Sequence, residues 1–457
     1  MTERARYSPD DTIAAIATPV GSGGIGIVRL SGPEARSILE CIFRPARPLV
    51  PLQLTYGHIV DPQQAQTVDE VLVAYMPAPR TYTRQDIVEI DCHGGPVPLR
   101  RVLELCFIHG ARAAGPGEFT LRAFLNGRID LAQAEAVADV VAAKTEAGLR
   151  MAVAQLDGRL SDQIQAIRAR LLDALAWVEA SIDFEPDEVP AYEIDPDLHA
   201  AQEALAGLLS GAERGVVYRE GIRTAIVGQP NVGKSSLLNA LLRAERAIVT
   251  PIPGTTRDTL EETLNLHGIP LVLVDTAGIR ADTRDMAEDM GVERSRAALA
   301  RADLALLVID ANQPVDGGDR AIAALIAGRP AIAVLNKTDL PVRANVEDLL
   351  PGAPVVEISA LTGAGIAALE GAIEEAIFGG RVVAAEPALV SSSRHRDVLR
   401  RAQESVQAAI EARANGLPLD FVSIGLRGAV HMLGEVTGES VSDTLLETIF
   451  SRFCIGK

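Results

Sequence analysis

Gly228-Gln229-Pro230-Asn231-Val232-Gly233-Lys234-Ser235 is a glycine-framed loop closed by a lysine and a serine, and its flanks decide how it is read. The apolar run Thr224-Ala225-Ile226-Val227 predicts a buried strand before it, and Ser236-Leu237-Leu238-Asn239-Ala240-Leu241-Leu242 carries helical periodicity after it. Strand, loop and helix in that order are the context a phosphate-binding loop needs. Its glycines let backbone N–H groups turn inward on phosphates, Lys234 reaches the outer phosphates, and the Ser235 hydroxyl is placed to ligate Mg2+. Asn231, Val232, Gly233, Lys234, Ser235 and Ser236 are thus the expected phosphate contacts.

Three further segments follow in the order and spacing of a guanine-nucleotide domain. Leu271-Val272-Leu273-Val274 runs into Asp275-Thr276-Ala277-Gly278, where the carboxylate can hold the Mg2+ shell and the Gly278 N–H can meet a γ-phosphate. Ala331-Ile332-Ala333-Val334-Leu335 runs into Asn336-Lys337-Thr338-Asp339. A carboxylate at Asp339 accepts from both N1–H and the 2-amino group of guanine, whereas adenine offers no such pair, so GTP is expected over ATP. Ser359-Ala360-Leu361, after the strand Val355-Val356-Glu357-Ile358, completes the base pocket.

Composition narrows the class. The chain has 457 residues, a net charge of −18 and an apolar fraction of 48% with few aromatics, so Ala, Leu, Val and Ile must do the packing. No apolar run approaches the roughly 18 residues of a membrane span. Asp10 and Asp11 stand where a signal peptide carries positive charge, and a cytoplasmic protein is expected. Cys41, Cys92, Cys106 and Cys454 lie far apart without Cys-x-x-Cys spacing, which leaves no disulfide framework or zinc knuckle. The acidity opposes free-standing nucleic-acid binding, so any RNA contact needs a basic patch or a basic partner.

Around the nucleotide domain the pattern changes twice. Residues 1–125 mix strands (Ile25–Leu30, Asp69–Tyr75, Ile87–Ile90) with Gly- and Pro-rich turns and a helical stretch Leu99–Ile108, an α+β domain. Gly21-Ser22-Gly23-Gly24-Ile25-Gly26 reads as a tight turn, since no strand precedes it and the spacing is wrong for a dinucleotide loop. Residues 126–220 are helical. Leu156, Leu160, Ile164, Ile167, Leu171, Leu175, Val178 and Ile182 recur at helical spacing and predict one long helix with its seam in a bundle core. Residues 182–200 hold seven acidic residues, no lysine or arginine and three prolines, a solvated connection leading to a helix over Leu198–Gly211. The nucleotide domain takes 221–380. Helical pattern resumes in 381–457, over Arg396–Ala414 and from Val422 onward. The chain therefore predicts three domains, with an α/β nucleotide domain inserted into an α-helical one behind an α+β N-terminal one.

The switch segments depart from the usual pattern. Many GTPases place a water-orienting glutamine after Asp-x-x-Gly. Here that position is Ile279, which cannot do the job; Asp282, Asp285, Glu288, Asp289 and Glu293 follow as candidates that pattern alone does not separate. Upstream, in Thr250-Pro251-Ile252-Pro253-Gly254-Thr255-Thr256-Arg257-Asp258, Thr256 is placed to complete the Mg2+ shell. Arg257 suits a structural ion pair better than a charge-stabilising finger.

These residues carry a resemblance. Gly-Gln-Pro-Asn-Val-Gly-Lys-Ser, Gly254-Thr255-Thr256-Arg257-Asp258, Asp275-Thr276-Ala277-Gly278-Ile279-Arg280 and Cys454-Ile455-Gly456-Lys457 resemble the tRNA modification GTPase family MnmE, also called TrmE. Asp11–Pro19, His93-Gly94-Gly95 and Arg122–Ala136 match the same family, so the likeness spans the whole chain. It implies a homodimer joined through tetrahydrofolate-binding N-terminal domains, and nucleotide domains that pair across K+. Asn231 and the carbonyls of Thr250, Ile252 and Thr255 would ligate K+, and Ser235 and Thr256 would hold Mg2+. The nucleotide contacts would extend over Thr250, Pro251, Ile252, Pro253, Gly254, Thr255 and Thr256. Glu288, in the family's Glu-x-x-Gly pattern, would position the attacking water, with Asp285 the alternative.

By the same resemblance Arg29, Glu89, Arg128 and Lys457 would bind a 5,10-methylene- or 5-formyl-tetrahydrofolate, whose pterin offers donors to a carboxylate and whose glutamate tail is anionic. Arg128 stands where lysine is common, which keeps the charge and changes the donor geometry. Cys454 stays open between a small packing residue and a participant near the carbon donor. With the FAD-binding protein MnmG, in a heterotetramer, such a chain would act on tRNA, installing a carboxymethylaminomethyl or aminomethyl group at carbon 5 of the wobble uridine. The rival expectation is a regulatory or ribosome-assembly switch whose flanking domains only recruit partners.

Overall fold

The computed structural model describes residues 11–19, 21–185, 187–244, 262–274, 296, 298–346, 348–379 and 389–457. Its first part contains β1 (Ile13–Ile16), β2 (Ile25–Ser31), α1 (Ala35–Ile42), β3 (Phe43–Pro45), β4 (Leu54–Asp61), β5 (Gln66–Met76), β6 (Ile87–His93), α2 (Pro96–Ile108), β7 (Arg112–Ala113) and α3 (Glu118–Leu125). The strands form one sheet in the order β3-β4-β5-β6-β2-β1-β7, antiparallel except for the β1–β7 pair. Period-2 alternation sends Val28, Leu30, Val88 and Ile90 to the face covered by α1 and α2, where all are buried. The opposite face carries Arg29, Glu89 and Asp91 together with exposed Ile25, Leu54, Tyr56 and Leu72. The strands read from sequence lie inside β2, β5 and β6. β1 escapes the pattern because Ile13, Ala14 and Ala15 are all buried, so no alternation shows. Gly26 belongs to β2 rather than to the expected turn, and a Cβ there would stand 2.4 Å from Leu99.

The helical part contains α4 (Leu131–Ala142), α5 (Glu146–Leu156), α6 (Arg159–Asp183), α7 (Asp195–Ser210) and α8 (Ala212–Glu220). A capping box opens α4: Gln133 N donates to Asp130 Oδ1 at 2.8 Å and Asp130 N donates to Gln133 Oε1 at 3.0 Å. The single long helix expected from Leu156 to Ile182 is instead two. Gly158, at φ +89°, breaks the chain between α5 and α6, so Leu156 ends one helix and the buried seam begins at Leu160. Ile182 is 41% exposed and leaves the core altogether.

The nucleotide part follows with β8 (Ile222–Val227), α9 (Lys234–Ala244), β9 (Glu262–Leu266), β10 (Ile269–Val274), β11 (Leu304–Asp310), α10 (Gly317–Ile326), β12 (Ala331–Asn336), β13 (Val355–Glu357) and α11 (Ile366–Phe378). Its sheet has the order β13-β12-β11-β8-β10-β9, parallel except for β9. Both faces are covered, so β10, β11 and β12 read as unbroken apolar runs. Among the described residues no helix is long and apolar enough to cross a membrane.

The chain then returns to helices in α12 (Ser393–Ala414), α13 (Leu419–Thr437) and α14 (Asp443–Phe450). Helical pattern does not run on from Val422 as expected. Gly438, at φ +96°, ends α13, and residues 451–457 leave the bundle as a non-helical tail. α6, α7, α12 and α13 share one core in which Leu160, Ile164 and Leu171 meet Leu399, Val406 and Leu426. That core unites residues from before and after the nucleotide part.

The two connections of the nucleotide part meet in one place. α8 leads in, and Val390 and Ser391 lead out. Gly215 of α8 lies so close to them that a Cβ would stand 2.0 Å from the Val390 carbonyl oxygen. Around this crossing, Arg219 pairs with Asp139 at 2.8 Å, Arg394 with Glu135 at 2.9 Å, and the His395 ring with Glu135 at 2.7 Å. Burial alone would raise the Glu135 carboxyl, but His395 and Arg394 outweigh it and hold it at about 2.

Candidate functional sites

The loop after β8 is built around its glycines. Gly233 stands at φ +100°, where a Cβ would lie 2.2 Å from Asn336 Nδ2, so only glycine lets the two segments close up. Asn336 then joins both halves of the site. Its Nδ2 donates to the Val232 carbonyl at 2.9 Å, and its Oδ1 accepts from Ala360 N at 3.0 Å. Lys337, at φ +69°, sends its ammonium back to the Asn231 carbonyl and to Asp310 Oδ2, each at 2.7 Å. Lys234 Nζ donates to the carbonyls of Gly228 and Gln229 at 3.1 and 2.7 Å, which hold the ammonium across the loop mouth at the head of α9.

After β13, Ser359 Oγ donates to Asp339 Oδ1 at 2.6 Å and accepts from Thr362 N at 3.2 Å. One oxygen of the carboxylate is thereby oriented, and Leu361 beside it is 85% exposed. These bonds bring Asn231, Val232, Gly233 and Lys234 of the loop, with Ser235 and Ser236 opening α9, together with Asn336, Lys337 and Asp339 after β12 and Ser359, Ala360 and Leu361 after β13. Thr250, Pro251, Ile252, Pro253, Gly254, Thr255, Thr256, Asp275, Thr276, Ala277, Gly278 and Glu288 lie outside the described residues, as do Arg257, Ile279 and Asp285. Sequence pattern missed Asp310 as the anchor of Lys337, because no local spacing connects the end of β11 to the loop after β12.

A second cluster forms on the open face of the N-terminal sheet. Pairing of β2 with β6 sets Arg29 opposite Glu89, and Arg29 Nη2 lies 2.7 Å from Glu89 Oε1. Arg29 Nη1 also donates to the Gly456 carbonyl at 3.2 Å, which ties the tail to the sheet. The tail is fixed at two more points: Gly117 N donates to the Cys454 carbonyl at 3.3 Å, and Phe119 N donates to the Lys457 carbonyl at 3.2 Å. Gly456, at φ +97°, passes where a Cβ would stand 2.4 Å from the Ile16 carbonyl oxygen. Arg29 stacks over the Phe119 ring at 5.7 Å, and Arg128 over the Tyr82 ring at 4.7 Å. Tyr82 packs against the cluster that holds Phe119, so the rings under Arg29 and Arg128 belong to one apolar group, with Glu89 paired to Arg29 and Lys457 bonded through its backbone to Phe119.

Charge in this cluster is finely set. Burial lowers the Lys457 amine, Cys454 pulls it back up, and the Arg29 guanidinium lowers it again. Burial and the neighbouring Glu89 both raise the Asp91 carboxyl. Glu89 meets Arg29 through Oε1, and its Oε2 has no hydrogen-bond partner among the described residues. Tyr82 and Phe119 carry no motif that marks them in the sequence, and only the fold brings them to the Gly456 tail.

Known proteins resemble nearly the whole of this chain. Residues 12–128 match the family model described as the GTP-binding protein TrmE N-terminus, and residues 131–454 match that of the MnmE helical domain. A relative from Chloroflexus aurantiacus named tRNA modification GTPase MnmE is 52% identical across 98% of this chain and 100% of its own length. A relative of the same name from a Roseiflexus species is 51% identical across 98% and 99%. Among solved structures, the G domain of the T. maritima FeoB iron transporter is 26% identical over 34% of this chain and 98% of that one, with a TM-score of 0.26.

Proposed function

This chain belongs to the tRNA modification GTPase MnmE family, and from that membership we propose that its GTP hydrolysis drives carbon-5 modification of the tRNA wobble uridine. It is a GTP hydrolase of tRNA modification. The finer reading has it act with the FAD-dependent protein MnmG, forming the carboxymethylaminomethyl or aminomethyl group in the cytoplasm. We divide the chain at 1–125, 126–220, 221–380 and 381–457, with the nucleotide domain set into the helical one.

In the nucleotide site, the Gly233 backbone and Lys234 bind the outer phosphates, and Asp339, oriented by Ser359, accepts from the guanine edge. Ser235, Thr256 and Asp275 would hold Mg2+. Asn231 fits a K+ ligand, since its side-chain amide has no protein partner among the described residues and stands at the loop mouth. The Thr250, Ile252 and Thr255 carbonyls would complete the set. K+ there would supply the positive charge that an arginine finger supplies elsewhere. Glu288 would orient the water.

In the N-terminal site, the donor set fits a reduced folate. Glu89 Oε2 can accept from the pterin amide face, while Arg128 and Lys457 match an anionic glutamate tail. A tetrahydrofolate there would supply the one-carbon unit. The exposed row of Ile25, Leu54, Tyr56 and Leu72 on the same sheet face supports a homodimer closing over it.

The observation that carries the reading is the tail held by Arg29, which joins Lys457 to Glu89 in one cluster. Mass spectrometry of wobble nucleosides in a deletion strain tests it. Complementation with the wild-type gene restores the modified uridine and Glu89→Ala does not. Unchanged nucleosides in the deletion strain would favour a regulatory or ribosome-assembly switch.

A further inference from the structure

One end of the helical bundle carries an apolar patch that neither site uses. Arg427 Nε donates to Glu179 Oε1 at 2.8 Å, which shows the level at which α6 and α13 pass each other. Ile182 lies one turn beyond Glu179, and Ile424 one turn before Arg427, so the two come level on the same outward side. Phe421 stands a further turn on. Phe184 caps α6, its N–H donating to the Ala180 carbonyl at 3.0 Å, and Leu417 closes the turn between α12 and α13. Ile182, Phe184, Leu417, Phe421 and Ile424 are 41, 60, 46, 54 and 68% exposed. Large apolar side chains grouped in this way mark an interaction surface, whereas single exposed ones do not.

The rim is acidic and largely uncompensated. Asp183, Glu185, Asp187, Glu188 and Asp420 have no ion-pair partner among the described residues. The segment that carries most of them is held in place: Trp177 Nε1 donates to the Pro190 carbonyl at 3.0 Å, and Tyr192 bonds to Asp197. Arg413 pairs with Asp195 at 3.3 Å, so the carboxylates at the helix starts are already engaged. A fixed negative collar around an apolar centre repels nucleic acid and anionic lipid, and it repels a second copy of itself. It suits a protein surface that presents basic residues around an apolar knob.

We propose that this end of the bundle docks such a surface on the flavoprotein partner. The inference rests on the functional reading above, because a partner that shares tRNA with so acidic a chain has to carry positive charge. The apolar centre supplies affinity, and the collar supplies orientation and association rate.

Sedimentation and calorimetric titration of the full-length chain with the purified FAD-binding partner test this. Ile424→Asp weakens binding about tenfold or more. The double variant Asp187→Lys, Glu188→Lys also weakens it and flattens its salt dependence. Both side chains of the pair and Ile424 are exposed, so basal GTP hydrolysis stays at the wild-type rate and reports intact folding. Wild-type affinity in both variants overturns the docking surface while leaving the partner in place. Failure of the wild-type chain to bind the flavoprotein removes the partner and the proposal together. Self-association abolished by Ile424→Asp assigns the patch to a second copy and also overturns it.

Discussion

Arg29 of β2 and Gly456 of the tail share a hydrogen bond of 3.2 Å across 427 positions of sequence. The same guanidinium pairs with Glu89, so a single side chain links the tail to the carboxylate beside it. Loss of either partner disturbs the whole cluster while leaving the nucleotide track, in another part of the chain, untouched.

Glu89→Ala, or deletion of Cys454 to Lys457, therefore abolishes binding of 5-formyltetrahydrofolate and spares GTP affinity. Equilibrium titration with each ligand checks this. Undiminished folate affinity in both variants would refute the site.

Asp339→Asn replaces an acceptor with an amide that can donate to a carbonyl at the 2-position of the base. GTP affinity falls by about a hundredfold, and xanthine nucleotides gain. The bond from Ser359 survives the change, because the amide oxygen still accepts it. A nucleotide titration that gave wild-type GTP affinity would remove Asp339 from the base pocket.

Hydrolysis should rise with K+ and fall when Na+ replaces it, if Asn231 and the Thr250 to Thr255 carbonyls hold the ion. Glu288→Ala should lower kcat by about a hundredfold with little change in KM, since a water contact matters in the transition state rather than in the ground state. Phosphate-release rates decide both. Equal rates in the two salts would eliminate the ion, and an active Glu288→Ala would return Asp285 to the role.

At the crossing of the two connections, Glu135 supplies a pH-dependent contribution to stability. Its folded carboxyl titrates at about 2 against an ordinary value of 4.5. The contribution is therefore complete above 4.5 and is lost as pH falls through the folded value. Glu135→Gln destabilises at neutral pH by about 3 kcal/mol, because the half-buried Arg394 guanidinium loses its counter-charge. Trp177, the one tryptophan of the chain, sits in α6 and reports the unfolding by fluorescence. Wild-type and variant midpoints should converge as pH approaches 2; a constant gap would show that the pairing contributes nothing through charge.

The strand, glycine loop and helix were legible because they are neighbours in sequence, and β8 and α9 lie where periodicity put them. Length was the harder quantity. The Leu156 to Ile182 seam keeps its spacing straight through Gly158, so only a positive φ, which hydrophobic pattern does not encode, divides α5 from α6. Non-local geometry was invisible. Tyr82, Phe119 and Gly456 converge from three distant segments, and no spacing within any one of them announces the meeting. Asn336 was expected in the base pocket, and its hydrogen bond to the Val232 carbonyl emerges only when β12 is set near β8.

The close passage of Gly215 past Val390 bears on how the protein is made. The helical core draws on residues both before and after the nucleotide part, so on the ribosome it stays unfinished until α12 and α13 have emerged. By then the nucleotide part can already be folded, and its two ends leave it side by side. A folded insert with adjoining ends closes a long loop in advance, which spares the helical core most of the entropy of finding its second half. A bulky side chain at position 215 should accordingly slow assembly of the helical core after synthesis while the nucleotide part folds at its normal rate.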